Sequence, residues 1–361
     1  MKTFHCDKCA QQVFFENTFC FNCNSTLGYD PAQRSINSFE QTDSGQWRSL
    51  NRRSEGKLYK QCSNYVAHNV CNWMLPADDP HALCASCQLT VVIPALSSST
   101  NHVLWSRLES AKRRLLYSLA TLNLTPASKE TAPDTGLAFQ FLEGGATDPC
   151  VMTGHNNGLI TLNIAEADPA ERERTREQMQ ERYRTLLGHF RHESGHYYFD
   201  RLVADGEWIA PYRALFGDER QDYGASLQRH YSQGPVPDWE QRFVSSYASA
   251  HPWEDWAETW AHYLHMLDTL ETAHACGLSL KPAKADEPSL DAVALPTRTD
   301  SFEDTVKNWF ALTYVLNSLS RSIGMPDAYP FQLSTPVLEK LEFVHTVVRA
   351  QLAKAAAAAP A

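Results

Sequence analysis

RHESGHYYFD, residues 191–200, contains the pattern most informative about the chemistry of the C-terminal part of this chain. Within it, His192 and His196 are four positions apart, so on an α-helix both imidazoles project from one face and can bind the same zinc ion. Glu193 points toward the flank of that face, where it can hold a metal-bound water. The alternative interpretation is that both histidines are ordinary buried or surface residues.

Two neighbours add to this pattern. Gly195 is a poor helix former, costing about 1 kcal/mol relative to alanine, so we expect a strand or a substrate to pass close to it. Asp200 lies four positions after His196, on the same helix face, and could hydrogen-bond a ligand histidine. A solvent-facing aspartate is an equally good interpretation of Asp200.

A third protein ligand is expected on a second helix, because a catalytic zinc ion takes three protein ligands and keeps one position open. HPWEDWAETWAHYLH, residues 251–265, has tryptophan and alanine at helical spacing and predicts a largely buried helix. Glu254 and Glu258 share a face of that helix, so one could bind zinc while the other supports a ligand. His262 or His265 would be alternative ligands.

Cysteines cluster at the other end of the chain, where eight of the 10 fall before residue 90. The C-x-x-C spacing lets two thiolates on one tight turn face the same ion, and two such turns complete a tetrahedral zinc site. We define a first tetrad and a second tetrad: Cys6, Cys9, Cys20 and Cys23; Cys62, Cys71, Cys84 and Cys87. His5, His68 and His81 are close enough in sequence to replace a cysteine. Each tetrad predicts a structural zinc ion, so the chain would hold one catalytic and up to two structural ions.

Composition shifts divide the chain. Residues 1–93 are short segments and turns that metal would stabilise, and PALSSSTNH (94–102) predicts a linker. Residues 103–353 form a second domain, and AKAAAAAPA indicates a disordered tail over 354–361.

The second domain is predicted to be mostly helical with a small sheet. Alternating residues predict strands over 137–143 and 158–164, and a long helix is expected from Asp168 to Ala204. Further helices are predicted near 218–232, 252–275, 302–321 and 335–352. The fold class is therefore α+β.

Charge and hydropathy exclude several classes of protein. The 361 residues carry a formal net charge of −10 and are 43% hydrophobic, which excludes a wholly disordered chain, a collagen-like repeat and a coiled coil. The acidic balance disfavours nucleic acid and anionic membranes as partners, and the basic stretch RSLNRRSEGKLYK (48–60) is expected to be a solvated face. No transmembrane helix or apolar signal region is visible, which indicates a cytoplasmic location.

The pattern HExxH followed by EDWAE (254–258) resembles the gluzincin metallopeptidases, including the anthrax lethal factor-like group. The resemblance implies that Glu254 is the third zinc ligand and that Glu258 supports it. In the lethal factor-like group, a tyrosine seven residues before the ligand glutamate helps to stabilise the oxyanion, and Tyr247 has that spacing here. A buried structural tyrosine is the alternative for Tyr247.

The chain is more similar still to a family of bacterial zinc-binding metallopeptidases with an N-terminal zinc ribbon. The motifs that carry this resemblance span nearly the whole chain: FHCDKCAQQVFFENTFCFNC, CSNY…CNW…LCASC, GLITLNIAEAD, RHESGHYYFDRLV, LFGDERQDYGASLQRHY and HPWEDWAETWAHYLH. It implies a zincin-like domain over 103–353 and a peptide or protein substrate, with Glu193 as general base and Tyr247 or a nearby histidine at the oxyanion. The strand at 158–164 could pair with an extended substrate as an edge strand.

The rival hypothesis is a non-catalytic module whose zinc ribbons dock a protein or nucleic acid and whose HExxH zinc is structural.

Overall fold

The computed structural model describes residues 1–144, 151–284, 286–290 and 301–358. Two small sheets make up most of the N-terminal region. The strands there are β1 (Phe4–His5), β2 (Gln12–Val13), β3 (Thr26–Asp30), β4 (Ser35–Gln41), β5 (Trp47–Ser49), β6 (Leu58–Gln61) and β7 (Met74–Pro76). β1 pairs with β2, and β3 to β7 form an antiparallel meander in chain order. A short helix, α1 (Ser63–His68), interrupts the meander. The cysteines lie in the turns between these short strands and in the segment that follows β7, so the predicted metal-stabilised region has a sheet framework.

A four-stranded mixed sheet, in the order β10-β11-β9-β8, joins one strand from the end of the cysteine-rich region, β8, to three strands that follow residue 103. Its strands are β8 (Thr90–Val92), β9 (Ala138–Leu142), β10 (Gly154–Asn156) and β11 (Leu159–Asn163). The strands predicted at 137–143 and 158–164 are thus confirmed as β9 and β11. However, the prediction that 158–164 is an edge strand is wrong. The turn at Asn157 and Gly158, both with positive φ, folds β10 back onto β11 and makes β10 the edge.

Helices make up the rest of the second domain. They are α2 (Ser99–Thr121), α3 (Pro169–Gln178), α4 (Leu186–Leu202), α5 (Ile209–Phe216), α6 (Tyr223–Gln233), α7 (Trp239–Arg242), α8 (Pro252–Ala275), α9 (Phe302–Ser322) and α10 (Thr335–Ala358). The helix predicted at 252–275 is confirmed at both ends by α8. The α+β class, with a mostly helical domain and a small sheet, is also confirmed.

The single helix predicted from Asp168 to Ala204 is wrong, because two helices occupy that segment. Asp168 does cap the first, accepting a hydrogen bond from the Ala170 amide at 2.8 Å. That helix, α3, buries none of its residues, so no apolar face requires it to continue. Gln180 takes a left-handed φ of 54° after α3, and Thr185 starts α4 by accepting from the Gly188 amide at 3.0 Å.

The segments predicted as linker and tail contain regular structure. β8 joins the four-stranded sheet just before the predicted linker at 94–102, and α2 begins within that linker at Ser99. α10 continues to Ala358 through most of the segment predicted to be a disordered tail, and residues 359–361 lie outside the described residues. No helix within the described residues combines the length and the apolar character needed to cross a membrane.

Candidate metal centre

His192, His196 and Glu254 come together where α4 packs against α8. Their ligand atoms all lie within 4.8 Å of one another. Glu254 Oε2 is 3.0 Å from His192 Nε2 and 3.5 Å from His196 Nε2. The Glu254 side chain is 1% exposed and that of His192 is 12% exposed, so the cluster is buried on one side and reachable on the other.

Close packing of the two helices explains how residues 58 positions apart in sequence can meet. A Cβ atom on Gly195 would lie 2.8 Å from Ala257 Cα, a distance that only glycine can accommodate. Trp256 Nε1 donates to the Gly195 carbonyl at 2.8 Å, and Trp260 Nε1 donates to Ser194 Oγ at 3.1 Å. The segment expected to pass close to Gly195 is therefore helix α8, and not a strand or a substrate.

A chain of hydrogen bonds orients His192. Its Nδ1 donates to Glu258 Oε1 at 2.7 Å, and Glu258 Oε2 accepts from Ser245 Oγ at 2.6 Å. Ser245 Oγ in turn accepts from the Ala248 amide at 3.1 Å. With Nδ1 engaged, the Nε2 atom of His192 is left as the free ligand atom on the side of Glu254. Glu258 thus contacts the outer nitrogen of a candidate ligand and lies outside the three-residue cluster.

Glu193 lies beside the cluster with an unused carboxylate oxygen. The residue is 5% exposed, and Glu193 Oε2 has no hydrogen-bond partner within the described part of the chain. Burial raises the pKa of Glu193, while the nearby His192 and His196 oppose that rise. A buried carboxylate with a free oxygen is able to accept a proton from a water molecule beside the cluster.

Two tyrosines border the cluster, and the sequence pointed to only one of them. The Tyr247 ring, to which the resemblance assigned a role, lies 5.9 Å from the His192 ring. The other is Tyr223, whose hydroxyl donates to Glu254 Oε1 at 2.7 Å. Neither Tyr223 nor Ser245 was predicted from the sequence, since each reaches the centre from a separate segment with no spacing rule to the histidines.

Asp200 and the alternative ligands lie elsewhere. Asp200 lines a surface cavity between the C-terminal end of α4 and α10. No described hydrogen bond joins it to either histidine of the cluster. His196 Nδ1 has no partner among the described side chains. His262 Nδ1 pairs with the Tyr329 hydroxyl at 2.7 Å, while His265 contacts Arg191, so neither alternative belongs to the cluster.

The eight N-terminal cysteines form two groups whose sulfur atoms lie within 4.8 Å of one another, and these groups are the first and second tetrads. No histidine joins either group in the described ranges. His68 packs against Trp105 at 5.4 Å between ring centroids, and His81 pairs with Asp79 at 2.9 Å. All eight thiols are free of disulfides.

The donor sets fit zinc at all three places. Four sulfurs, or two imidazoles and a carboxylate, are the ligands that zinc takes in structural and catalytic sites respectively. The buried Glu254 Oε2, which faces both imidazoles, has no hydrogen-bond partner in the described structure, as expected for an atom whose partner is a cation.

Comparisons with known proteins agree with this geometry. A family described as "putative zinc-binding metallo-peptidase" matches residues 101–347, and a zinc-ribbon domain family matches residues 3–98. Uncharacterized proteins from Mycobacterium bovis and from two strains of Mycobacterium tuberculosis are each 42% identical over 350 residues, covering 96% of this chain and 95% of each relative. No solved structure matches the chain significantly. The chain belongs to this family of zinc-binding metallopeptidase-like proteins and carries the zinc-ribbon domain at its N-terminal end.

Proposed function

We propose that this chain is a zinc-dependent metallopeptidase that hydrolyses peptide bonds with Glu193 as general base. The observation that carries the proposal is the free, buried Glu193 Oε2 beside three convergent donor groups. In the described residues, no fourth protein ligand closes the His192, His196 and Glu254 cluster, which supports a catalytic centre over a structural one.

The mechanism assigns a separate task to each residue. A zinc ion held by His192, His196 and Glu254 would supply a Lewis acid that lowers the pKa of a water molecule toward about 7. Glu193 takes the proton from the attacking water and later delivers it to the leaving amine. The Tyr247 phenol donates a hydrogen bond to the oxyanion that develops on the scissile carbonyl.

The substrate path follows the edge strand. β10 lies beside α4, and His155 at its centre stacks on His196 with ring centroids 6.1 Å apart. An extended peptide could add through main-chain hydrogen bonds to the outer side of β10, which pairs with no further strand among the described residues. That arrangement would place a peptide bond of the substrate close to Glu193.

The two cysteine tetrads complete the proposal. Each would hold one structural zinc ion, giving three ions per chain, and a reducing compartment such as the cytoplasm would keep the thiols available. The ribbons remain candidates for docking a protein partner. Nothing in the described structure favours the rival hypothesis of a purely non-catalytic module over the peptidase.

Glu193→Gln tests the proposal, because it keeps the size of the side chain and removes the base. We expect the variant to fold and retain its zinc, and to lose peptide hydrolysis by about 10²–10⁴-fold. Digests of mixed casein, read by mass spectrometry, measure the loss, and atomic absorption measures the zinc. His196→Ala is the control that should lose both the centre's zinc and the activity. Equal cleavage by wild type and Glu193→Gln would contradict the assigned role.

A further inference from the structure

The two oxygens of Glu254 face different partners. Oε2 lies 3.0 Å from His192 Nε2, inside the candidate metal cluster. Oε1 points away from the cluster and accepts a hydrogen bond from the Tyr223 hydroxyl at 2.7 Å. A carboxylate held in this way presents one oxygen to a cation, and its second oxygen cannot swing in without breaking the bond to the phenol.

The Tyr223 ring is held in place by the residues that begin α8. Its centroid lies 5.3 Å from the His251 ring and 5.6 Å from the Trp253 ring, edge-on to both. His251 in turn donates through Nε2 to the Gln221 carbonyl at 3.2 Å, and its Nδ1 accepts from the Trp253 amide. The helix that carries Glu254 therefore also positions the donor to Glu254.

Beyond Tyr223, helix α6 reaches the surroundings of the centre through His230, whose ring lies 5.9 Å from the Tyr247 ring. Ser226 is its one buried residue, and Tyr223 itself is 38% exposed. A helix with so small a buried face gains little stability from packing. The contacts that Tyr223 makes with Glu254 and with the start of α8 are thus a large part of what holds the first turn of α6 beside the centre.

From this geometry we infer that Tyr223 is a positioning residue: it fixes Glu254 as a one-oxygen ligand and ties helix α6 to the metal centre. The inference rests on the proposed role of Glu254 as a zinc ligand, but it does not depend on peptidase activity. Removing the hydroxyl leaves a carboxylate oxygen without its donor and lets the carboxylate rotate. Outer-shell changes of this kind cost about 10–100-fold in metal affinity.

Tyr247 differs in the way it would act. It neighbours the His192 ring at 5.9 Å, and its proposed partner is the substrate. The two phenols therefore predict different phenotypes. Tyr223→Phe should weaken zinc binding, whereas Tyr247→Phe should lower turnover and leave zinc affinity within about twofold.

Competition with a chromogenic chelator measures zinc affinity in the full chain, without any substrate. The release step that disappears in His196→Ala is assigned to this centre, which separates it from the cysteine sites. We expect Tyr223→Phe to release that zinc at about 10–100-fold lower chelator concentration than wild type. Tyr231→Phe is the matched control, because Tyr231 lies on the same helix and is 60% exposed; it should match wild type.

Coupling between the two residues gives a second measurement. If Tyr223 acts through Glu254, then adding Tyr223→Phe to Glu254→Gln should lower zinc affinity little further. Unchanged affinity in Tyr223→Phe, equal losses in Tyr223→Phe and Tyr231→Phe, or fully additive losses in the double variant would each overturn the inference. Thermal unfolding and retention of the cysteine-bound zinc check that each variant is folded. Because zinc affinity is measured without substrate, this test gives a clear result even if the chain has no peptidase activity.

Discussion

The first and second tetrads each consist of four cysteine thiols, but they lie in different surroundings. In the first, Cys6 and Cys20 are buried while Cys9 and Cys23 are half-buried. In the second, all four cysteines are buried, and none is more than 2% exposed. The tetrad with the less regular spacing in sequence is therefore the one that is more completely enclosed.

Neighbouring elements account for the difference. The first tetrad lies on two turns beside β4, where Ser38 Oγ contacts Cys6 Sγ at 3.2 Å and the Asp7 amide at 2.9 Å. The second tetrad lies against α2 of the second, mostly helical domain (the helical domain). Arg113 Nη1 on that helix donates to the Val70 carbonyl at 2.6 Å, next to Cys71. The first tetrad is therefore enclosed by the ribbon region itself, and the second is enclosed by a helix from the other domain.

The second tetrad also connects to a buried charge cluster. Lys112 on α2 is fully buried and pairs with Glu109 at 2.8 Å. Thr90, at the start of β8, donates to Glu109 Oε1 at 2.7 Å. The hydrogen bond with Cys62 raises the pKa of Cys87, but hydrogen bonds with Cys71 and Cys84 and the nearby Lys112 ammonium lower it, so that the pKa falls to about 7. A tetrathiolate zinc site carries net negative charge, so a buried cation beside it is favourable. We therefore expect loss of the second tetrad to destabilise the helical domain more than loss of the first. Three sets of variants, ranked by their expected effect on the stability of that domain, test this expectation.

The largest effect is expected from Cys62→Ser combined with Cys71→Ser. Losing a structural zinc ion forfeits a binding free energy of about 10–16 kcal/mol, which exceeds the stability of most domains. We expect α2 and β8 to lose protection from hydrogen exchange along with the ribbon region, and the zinc content to fall by at least one ion. Wild-type protection of α2 in this variant would show that the second tetrad is not integral to the helical domain.

A smaller effect is expected from Lys112→Met, which removes the nearer of two cations paired with the buried Glu109 carboxylate and leaves Arg113, 4.0 Å from Glu109 Oε2. Breaking a buried pair by removing one partner costs about 3–5 kcal/mol, and because Arg113 remains, we expect a loss no larger than that in urea unfolding of the helical domain. Adding Glu109→Gln should recover part of the loss, since the carboxylate charge is then removed. If Lys112→Met is neutral, the buried pair does not link the second tetrad to the helical domain.

The smallest effect on the helical domain is expected from Cys6→Ser combined with Cys9→Ser. The zinc content should fall by one ion and the turns around β1 and β2 should lose order, while the free energy of unfolding of the helical domain changes by less than about 1 kcal/mol. Cys276→Ser is the control, because Cys276 is exposed and outside both tetrads; its zinc content should not change. A collapse of the helical domain as large as that in the Cys62 and Cys71 variant would abolish the distinction between the tetrads.

Much of the candidate centre could be predicted because its parts are local. His192 and His196 are one helical turn apart, and α8 follows the predicted bounds because its apolar residues repeat at helical spacing. The choice of Glu254 over Glu258 came from a resemblance, since both residues share a face and spacing alone cannot rank them. The structure places Glu254 within the cluster and Glu258 on the outer nitrogen of His192.

The sequence predictions were wrong where the local pattern of residues does not determine which elements pack or pair with one another. α3 and α4 form a continuous helical pattern in sequence, but the polar α3 has no core contact to hold it in register with α4. β11 has the alternation of a strand, yet which strands flank it depends on the turn at Asn157 and on β9, which pairs with it from 21 residues earlier.

The candidate ligand types follow from local sequence, because thiolates on C-x-x-C turns and imidazoles one helical turn apart lie close together whatever surrounds them. Three features depend instead on the packing of distant segments: the carboxylate that joins His192 and His196, the tetrad that α2 covers, and the hydrogen bond from Tyr223 to Glu254. The close approach of α4 and α8 at Gly195 brings the cluster together, and no spacing rule relates the residues that meet there.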